Sequence, residues 1–279
     1  MINKVDVLYC VEKKDINPLL KKSLQLCVQN FKLLNDIYIV TNDADGIKKL
    51  LFDLNLPVEC HVLQDDEVIS KGNIPGWFLQ QMIKLKAHFI CKTKYICIIG
   101  ADALLLHPIT EADLFSQGDQ ILYYNRYPFT PNHLEYERKR IINVAKILQC
   151  NPYNSYLLGD FIMELMIFNA TYLIELLKYL SNIYGEDPIY RIIDNMSSDS
   201  LMDKTCFGEW TLYAVFLLDV LNLSICIKNS DSKFVEQLHS INDLYLHSPH
   251  AKVVHCVNKD IDKKQLSDVL GIVLEEELI

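Results

Sequence analysis

The sequence has few positive charges and no long basic cluster. Its 27 lysines and arginines are outnumbered by 36 acidic residues, which gives a formal net charge of -9. The longest basic run is Arg138-Lys139-Arg140. Because binding to a polyphosphate backbone depends on clustered lysine and arginine side chains, we expect that nucleic acid is not a partner.

Long apolar runs are also missing. No stretch approaches the roughly 18 apolar residues that a membrane-spanning helix needs. The opening segment, MINKVDVLYCVEKKD, contains too short an apolar run for a secretory signal. These two absences predict a cytoplasmic location without a transmembrane segment.

The cysteines lack the pattern of a disulfide framework. They number nine, which is odd, and no two are spaced as C-x-x-C. Most of them, such as Cys10, Cys97 and Cys226, lie inside strand-like segments, where a free thiol behaves as a small apolar side chain. We therefore expect reduced cysteines in the core.

No internal repeat, low-complexity tract or Pro/Gly-rich linker divides the chain. Half of its 279 residues are apolar, which is enough for one sizeable core. The sequence therefore predicts a single domain over residues 1–279, in which the segments 1–110 and 111–279 have different tasks.

The first hundred residues alternate between short strand-like runs and stretches with helical periodicity. Apolar and β-branched runs predict strands at residues 5–11, 37–41, 58–63 and 95–99, and helical spacing predicts helices at 19–31, 47–54 and 76–90. Such alternation is typical of an α/β fold with a mostly parallel, Rossmann-like central sheet flanked by helices.

The second half of the chain is less regular. Its patterns predict strands at residues 120–126, 163–168, 223–228 and 252–258, and helices at 133–149, 171–184 and 208–221.

A single carboxylate interrupts the apolar segment KYICIIGADALLLHP, which covers residues 94–108. Asp102 follows the strand predicted at 95–99, and ligands in open α/β sheets bind just beyond the carboxyl ends of strands. A carboxylate in such apolar surroundings needs a partner for its charge. The alternative is that Asp102 is a turn residue that bonds its own backbone.

Two short motifs carry a resemblance to a known family. Gly100-Ala101-Asp102, at a strand end and followed by an apolar segment that closes in Pro108, resembles the Asp-x-Asp strand end of GT-A nucleotide-sugar glycosyltransferases. The segment GWFLQQ at residues 76–81, followed by Lys84, is similar to the Gly-Trp-aromatic-x-Gln-Gln helix of small bacterial glycosyltransferase-like proteins associated with surface polysaccharides. The resemblance covers roughly the first 110 residues well and the rest loosely.

This resemblance implies a single GT-A-like domain. Residues 1–110 would bind a nucleotide-sugar donor, and residues 111–279 would bind the acceptor and contain a C-terminal segment for metal or phosphate. In such enzymes a divalent cation, held by carboxylates and phosphate oxygens, stabilises the departing diphosphate.

The resemblance also implies the residues of the cation site. Asp102 and His255 would bind Mn²⁺ or Mg²⁺, and Lys259 would contact a phosphate oxygen. The first acidic position of the motif is Gly100, which we expect to leave room for water or phosphate. Its loss also permits a metal-independent site in which Lys84 and Lys259 neutralise the diphosphate. By composition alone, His255 is equally a core histidine in an apolar strand.

Further donor contacts are expected from the predicted helix at 76–90 and from the end of the second strand. They are Trp77, Gln80, Gln81, Lys84 and Thr41. The same residues are also compatible with ordinary helix core and surface, and the segment after the second strand with helix capping.

An inverting transferase needs a carboxylate base near the acceptor hydroxyl. The candidates are Asp160, in a loop before a predicted strand, and Glu209, at a predicted helix start. Asp160 alternatively suits a turn, and Glu209 the positive end of a helix dipole.

The function predicted on these grounds is transfer of a sugar from a nucleoside-diphosphate donor to a saccharide or glycoconjugate acceptor. One alternative is a sugar nucleotidyltransferase, which would need a glycine-rich phosphate loop after the first strand, whereas residues 10–15 contain no glycine. A second alternative, which Gly100 leaves open, is a degenerate transferase fold that binds nucleotide or glycan without catalysis.

Overall fold

The front half of the chain alternates strands and helices as predicted. The computed structural model describes residues 4–70, 74–124, 131–159, 161, 163–185, 187–195, 206–229, 235–238 and 252–256. Up to residue 105 its elements are β1 (Val5–Val11), α1 (Pro18–Asn30), β2 (Leu34–Thr41), α2 (Ala44–Leu54), β3 (Cys60–Gln64), α3 (Asp65–Val68), α4 (Gly76–Leu85), α5 (Ala87–Ile90), β4 (Tyr95–Ile99) and β5 (Ala103–Leu105).

The second half adds helices and shorter strands. They are α6 (Glu111–Leu114), β6 (Phe115–Ser116), β7 (Asp119–Tyr124), α7 (Pro131–Ile147), α8 (Tyr153–Tyr156), β8 (Leu165–Asn169), α9 (Ala170–Tyr184), α10 (Pro188–Asn195), α11 (Glu209–Val215), β9 (Cys226–Asn229), β10 (Val235–Leu238) and β11 (Val253–Cys256). The predicted helix at 208–221 continues beyond α11 as a wider π-helical turn, Phe216–Val220.

The central sheet has five strands in the order β3-β2-β1-β4-β8. All neighbouring pairs are parallel except β4 and β8, which run antiparallel. Every residue of β1 and β4 is buried, which explains why these strands are almost continuously apolar in sequence. The predicted α/β class with a mostly parallel sheet is confirmed.

A buried carboxylate holds β4 beside β1. Asp6 accepts hydrogen bonds from the backbone N–H groups of Lys92 (2.7 Å) and Thr93 (2.9 Å) and from Asn35 Nδ2 (2.9 Å). The turn that leads into β4 therefore has its N–H groups satisfied by a side chain of the central strand.

The apolar segment after Asp102 is a strand of its own, which the sequence patterns did not reveal. This strand, β5, pairs antiparallel with β11 in a second sheet of order β10-β11-β5. The pairing puts Val253 opposite Leu105 and His255 opposite Ala103. Strand β11 is thereby brought next to the end of β4. A third sheet has the order β6-β7-β9.

The structure describes the side chains of eight of the nine cysteines, and all eight are free, as predicted. Burial raises the pKa of the Cys10 and Cys27 thiols to about 12, so both remain protonated and apolar at neutral pH. No helix in the described ranges combines the length and apolar character needed to cross a bilayer.

Candidate functional site

A crevice lies where the sheet changes its winding direction. Because β1 has β2 on one side and β4 on the other, the switch point of the sheet lies between β1 and β4, where ligands of open α/β sheets bind. Glu12 follows β1 at this edge, and Gly100 follows β4.

Helix α4 begins against the end of β1. A Cβ atom added to Gly76, the first residue of α4, would lie only 2.8 Å from Oε1 of Glu12. The carboxylate of Glu12 thus faces a helix N-terminus, whose free N–H groups and dipole favour negative charge. Lys14 forms a salt bridge with the same carboxylate.

A cavity of about 130 Å³ opens between the ends of β1 and β2 and helix α4. Its polar lining comes from Glu12, Thr41, Asn42, Asp65 and Gln80. The loops that follow β1 and β2 are linked beside this cavity, because Asn42 Oδ1 accepts a 2.7 Å hydrogen bond from the backbone N–H of Lys13.

Two of the predicted donor residues, Thr41 and Gln80, line this cavity. Thr41 is buried, and its Oγ1 accepts a hydrogen bond from the N–H of Asp43 at 3.1 Å. Trp77 is half-buried, packs against the core, and is not among the described residues that line the cavity.

A buried ion pair lies next to the cavity. Lys84 Nζ is 2.9 Å from Oε1 of Glu209, with the two side chains 17% and 3% exposed. With its amide oriented to satisfy both groups, Gln81 also donates to the Glu209 carboxylate. The Lys84 ammonium lies 5.0 Å from the ring centroid of Trp210. Three residues with separate sequence predictions, Gln81, Lys84 and Glu209, are therefore in direct contact.

The charge of Lys84 is stabilised by its neighbours. Burial lowers the pKa of Lys84, but the charge of Glu209, the nearby Cys10 and the charge of Glu164 raise it, and the net effect is an increase. Lys84 is therefore protonated at neutral pH. Because Cys10 also lines the cavity, this positive charge lies close to it.

Gly100 does not leave the open space that the sequence predicted. A Cβ atom added to Gly100 would lie 2.5 Å from Oε2 of Glu164 and 3.1 Å from Oδ1 of Asp102. The position expected to hold water or phosphate is therefore taken by the Glu164 carboxylate. Sequence reasoning missed Glu164, although it is the charged residue at the start of the apolar segment MELMIF.

The remaining predicted residues are placed only partly. The backbone of His255 is opposite that of Ala103, the residue after Asp102. Asp160 and Lys259 lie outside the described residues.

A divalent cation fits the groups at the end of β4. The carboxylates of Asp102 and Glu164 both approach the position that a Cβ atom of residue 100 would take, and carboxylate oxygens are the ligands that Mn²⁺ and Mg²⁺ prefer. A backbone register that brings a histidine next to Asp102 is compatible with the same ion.

A second group of possible ligands lies elsewhere. Nε2 of His61 is 3.4 Å from Oδ2 of Asp36 and 3.7 Å from Oε1 of Glu59, and its ring stacks on Tyr38. These residues lie near the amino ends of β2 and β3, at the edge of the sheet opposite the crevice.

The fold matches that of GT-A glycosyltransferases. Mouse xyloside xylosyltransferase 1 in its apo form matches with a TM-score of 0.50 and 15% identity, over 91% of this chain and 98% of that one. The galactosyltransferase LgtC, solved with donor and acceptor sugar analogs, matches with a TM-score of 0.55 and 9% identity, over 95% of each chain. At these identities the likeness concerns the fold.

The chain itself belongs to a family of unknown function (DUF6492), whose sequence profile matches residues 11–247. No curated protein matches the sequence.

Proposed function

We propose that this protein is a glycosyltransferase that moves a sugar from a nucleoside-diphosphate donor to a saccharide or glycoconjugate acceptor. The observation that carries the proposal is the position of Asp102 at the carboxyl end of β4, beside the switch-point crevice. The likeness to a xylosyltransferase and a galactosyltransferase over nearly the whole chain supports the same reaction class. In this proposal a single domain provides a donor half, 1–110, and an acceptor half, 111–279.

The cavity between β1, β2 and α4 is the proposed site for the nucleoside. Thr41 and Gln80 offer a hydroxyl and an amide, which can bond to the hydroxyl and amide groups of a ribose or base. Apolar side chains such as Val11 and Leu79 complete the wall, and a few polar groups in an apolar surround are typical of small-molecule sites. Trp77, on the same helix, remains a predicted donor contact.

The diphosphate would lie between this cavity and Gly100. A cation held by Asp102 and His255 would, when bound, stabilise the negative charge of the departing nucleoside diphosphate. Lys84, protonated and close to the cavity, provides a fixed positive charge in the same region. Lys259 remains a predicted phosphate contact.

Glu209 and Asp160 remain the candidates for the base of an inverting reaction. The Glu209 carboxylate forms an ion pair with Lys84 and accepts a hydrogen bond from Gln81. Its direct structural role is therefore to orient the Lys84 ammonium. Catalysis by Glu209 would require that the acceptor hydroxyl reach this buried group.

The test is nucleotide binding and donor hydrolysis. Isothermal titration with UDP and with GDP, each in Mn²⁺ and in EDTA, should show binding that Mn²⁺ strengthens. Incubation with UDP- and GDP-sugars should show slow release of free nucleotide. Metal-dependent binding without any hydrolysis or transfer would favour a non-catalytic binding module, and no nucleotide binding at all would contradict the proposal.

A further inference from the structure

A second carboxylate lies beside Asp102 at the end of β4, and it does not come from the Asp-x-Asp position. We propose that Glu164 provides this second carboxylate, in place of the acid that is missing at position 100. The inference rests on the proposed function, because the cation accompanies a nucleotide-sugar donor. It assigns to the protein a divalent-cation ligand directly before β8, outside the motif that revealed Asp102.

The strand pairing brings Glu164 to the end of β4. Because β8 runs antiparallel to β4, its amino end lies at the edge where β4 ends, and Ile99 is opposite Leu165. The backbone N–H of Gly100 donates a 3.2 Å hydrogen bond to the carbonyl oxygen of Glu164. Residue 164 is therefore the direct cross-strand neighbour of residue 100.

The side chain of Glu164 then occupies the space that an acid at position 100 would need. The distance of 2.5 Å from a Cβ at position 100 to Oε2 of Glu164 is far below the roughly 3.5–4.0 Å of an ordinary nonbonded contact. A side chain at position 100 and the present Glu164 conformation exclude each other. The carboxylate of Glu164 is thus delivered from the residue directly before β8 to the place where the motif would deliver one from β4.

The charges at this place also favour a cation. Oδ1 of Asp102 is 3.1 Å from the same Cβ position, so the two carboxylates approach one small volume. Like charges at such short range are unfavourable unless a positive charge lies between or beside them. A divalent ion held by both carboxylates would supply such a positive charge.

The experiment tests whether the carboxylate of Glu164 contributes to Mn²⁺ binding. Mn²⁺ affinity, alone and with UDP or GDP, is measured by titration calorimetry on the full chain. Glu164→Gln should weaken Mn²⁺ binding at least about 10-fold. This is the smaller of the losses in metal affinity that are typical when a residue supporting a metal site is removed. The exposed Glu175→Gln on α9 is the matched control and should bind as wild type.

A compensating pair of variants keeps the test independent of simple misfolding. Gly100→Asp alone should turn the Glu164 carboxylate away from its present position, because a Cβ atom at residue 100 would lie 2.5 Å from the end of that side chain. The double variant Gly100→Asp/Glu164→Ala provides one acid at this place from residue 100 and should recover most of the Mn²⁺ affinity that Glu164→Gln loses. Recovery of affinity by the double variant is not expected if Glu164 is only structural.

The outcomes separate this inference from the proposed function. Glu164→Gln that binds Mn²⁺ as tightly as wild type overturns the role of Glu164. The role of Glu164 is also overturned if the wild-type protein binds no Mn²⁺ and releases nucleotide from a sugar donor equally well in Mn²⁺ and in EDTA. In that case the glycosyltransferase proposal still stands. A protein that binds neither UDP nor GDP overturns the proposed function and this inference together.

Discussion

Removing the charge of Lys84 should destabilise the protein, because its partner Glu209 is almost completely buried. The two groups are 2.9 Å apart, and Glu209 is 3% exposed. In Lys84→Met the Glu209 carboxylate stays in the interior without its ammonium partner. Loss of one member of a buried ion pair costs about 3–5 kcal/mol, a large part of the ~5–15 kcal/mol by which a domain is stable.

The double variant Lys84→Met/Glu209→Gln should recover most of the lost free energy of unfolding. An amide at position 209 has no charge to bury and can still bond to Gln81. The difference between the single and the double variant therefore measures the cost of an unpaired buried charge, separately from the packing of the Lys84 side chain.

The stabilisation should also depend on pH. Burial lowers the pKa of Lys84, but its hydrogen bond to Glu209 and the charges of Glu209, Cys10 and Glu164 together raise it more, so the folded-state pKa lies above the ordinary value of 10.5. The stabilising contribution is then complete below the unfolded-state pKa and disappears as the pH rises through the folded-state pKa. The stability gap between wild type and Lys84→Met should be constant near neutral pH and narrow in strongly alkaline solution.

Urea-induced unfolding, followed by tryptophan fluorescence, measures these differences. Trp210 is a suitable reporter because its ring centroid lies 5.0 Å from the Lys84 ammonium. Lys178→Met, at an exposed position of α9, is the control and should stay within about 0.5 kcal/mol of wild type. If Lys84→Met is as stable as this control at neutral pH, the buried ion pair does not hold α4 against α11 and the reasoning is refuted.

Four further predictions follow from individual residues. Asp102→Asn should fold normally and bind UDP or GDP in EDTA as wild type, but lose the gain in affinity that Mn²⁺ confers, as titration calorimetry would show. Trp77→Ala should weaken donor binding by a few kcal/mol if α4 lines the donor cleft; a folded variant with unchanged affinity would remove Trp77 from the site. Asp160→Asn or Glu209→Gln should lower turnover by about 10²-fold or more, whichever is the base, and donor binding should stay intact in Asp160→Asn; wild-type rates in both would exclude both. Asp6→Ala should cost about 1–3 kcal/mol in urea unfolding, because it removes the buried acceptor of the Lys92 and Thr93 N–H groups.

The sequence by itself determined the elements that local pattern controls. Strands β1 and β4 are continuous apolar runs because both faces of the central sheet are buried, and the pattern predicted them within a residue. Helices α1 and α2 follow from their periodicity, and each begins at a capping side chain, Asn17 and Asp43. The place of Asp102 just beyond a strand end was also a local property.

Only the tertiary structure decided which distant residues meet at the site. Glu164 reaches Gly100 because β8 pairs antiparallel with β4, and Lys84 meets Glu209 because α4 and α11 pack together. Neither contact has a signature in periodicity, since strand order and register depend on packing between segments far apart in the chain. From the sequence, a glycine at position 100 suggested an unoccupied place where an acid was expected. In the fold, the carboxylate of Glu164 occupies that place, because the neighbouring segment pairs with the end of β4.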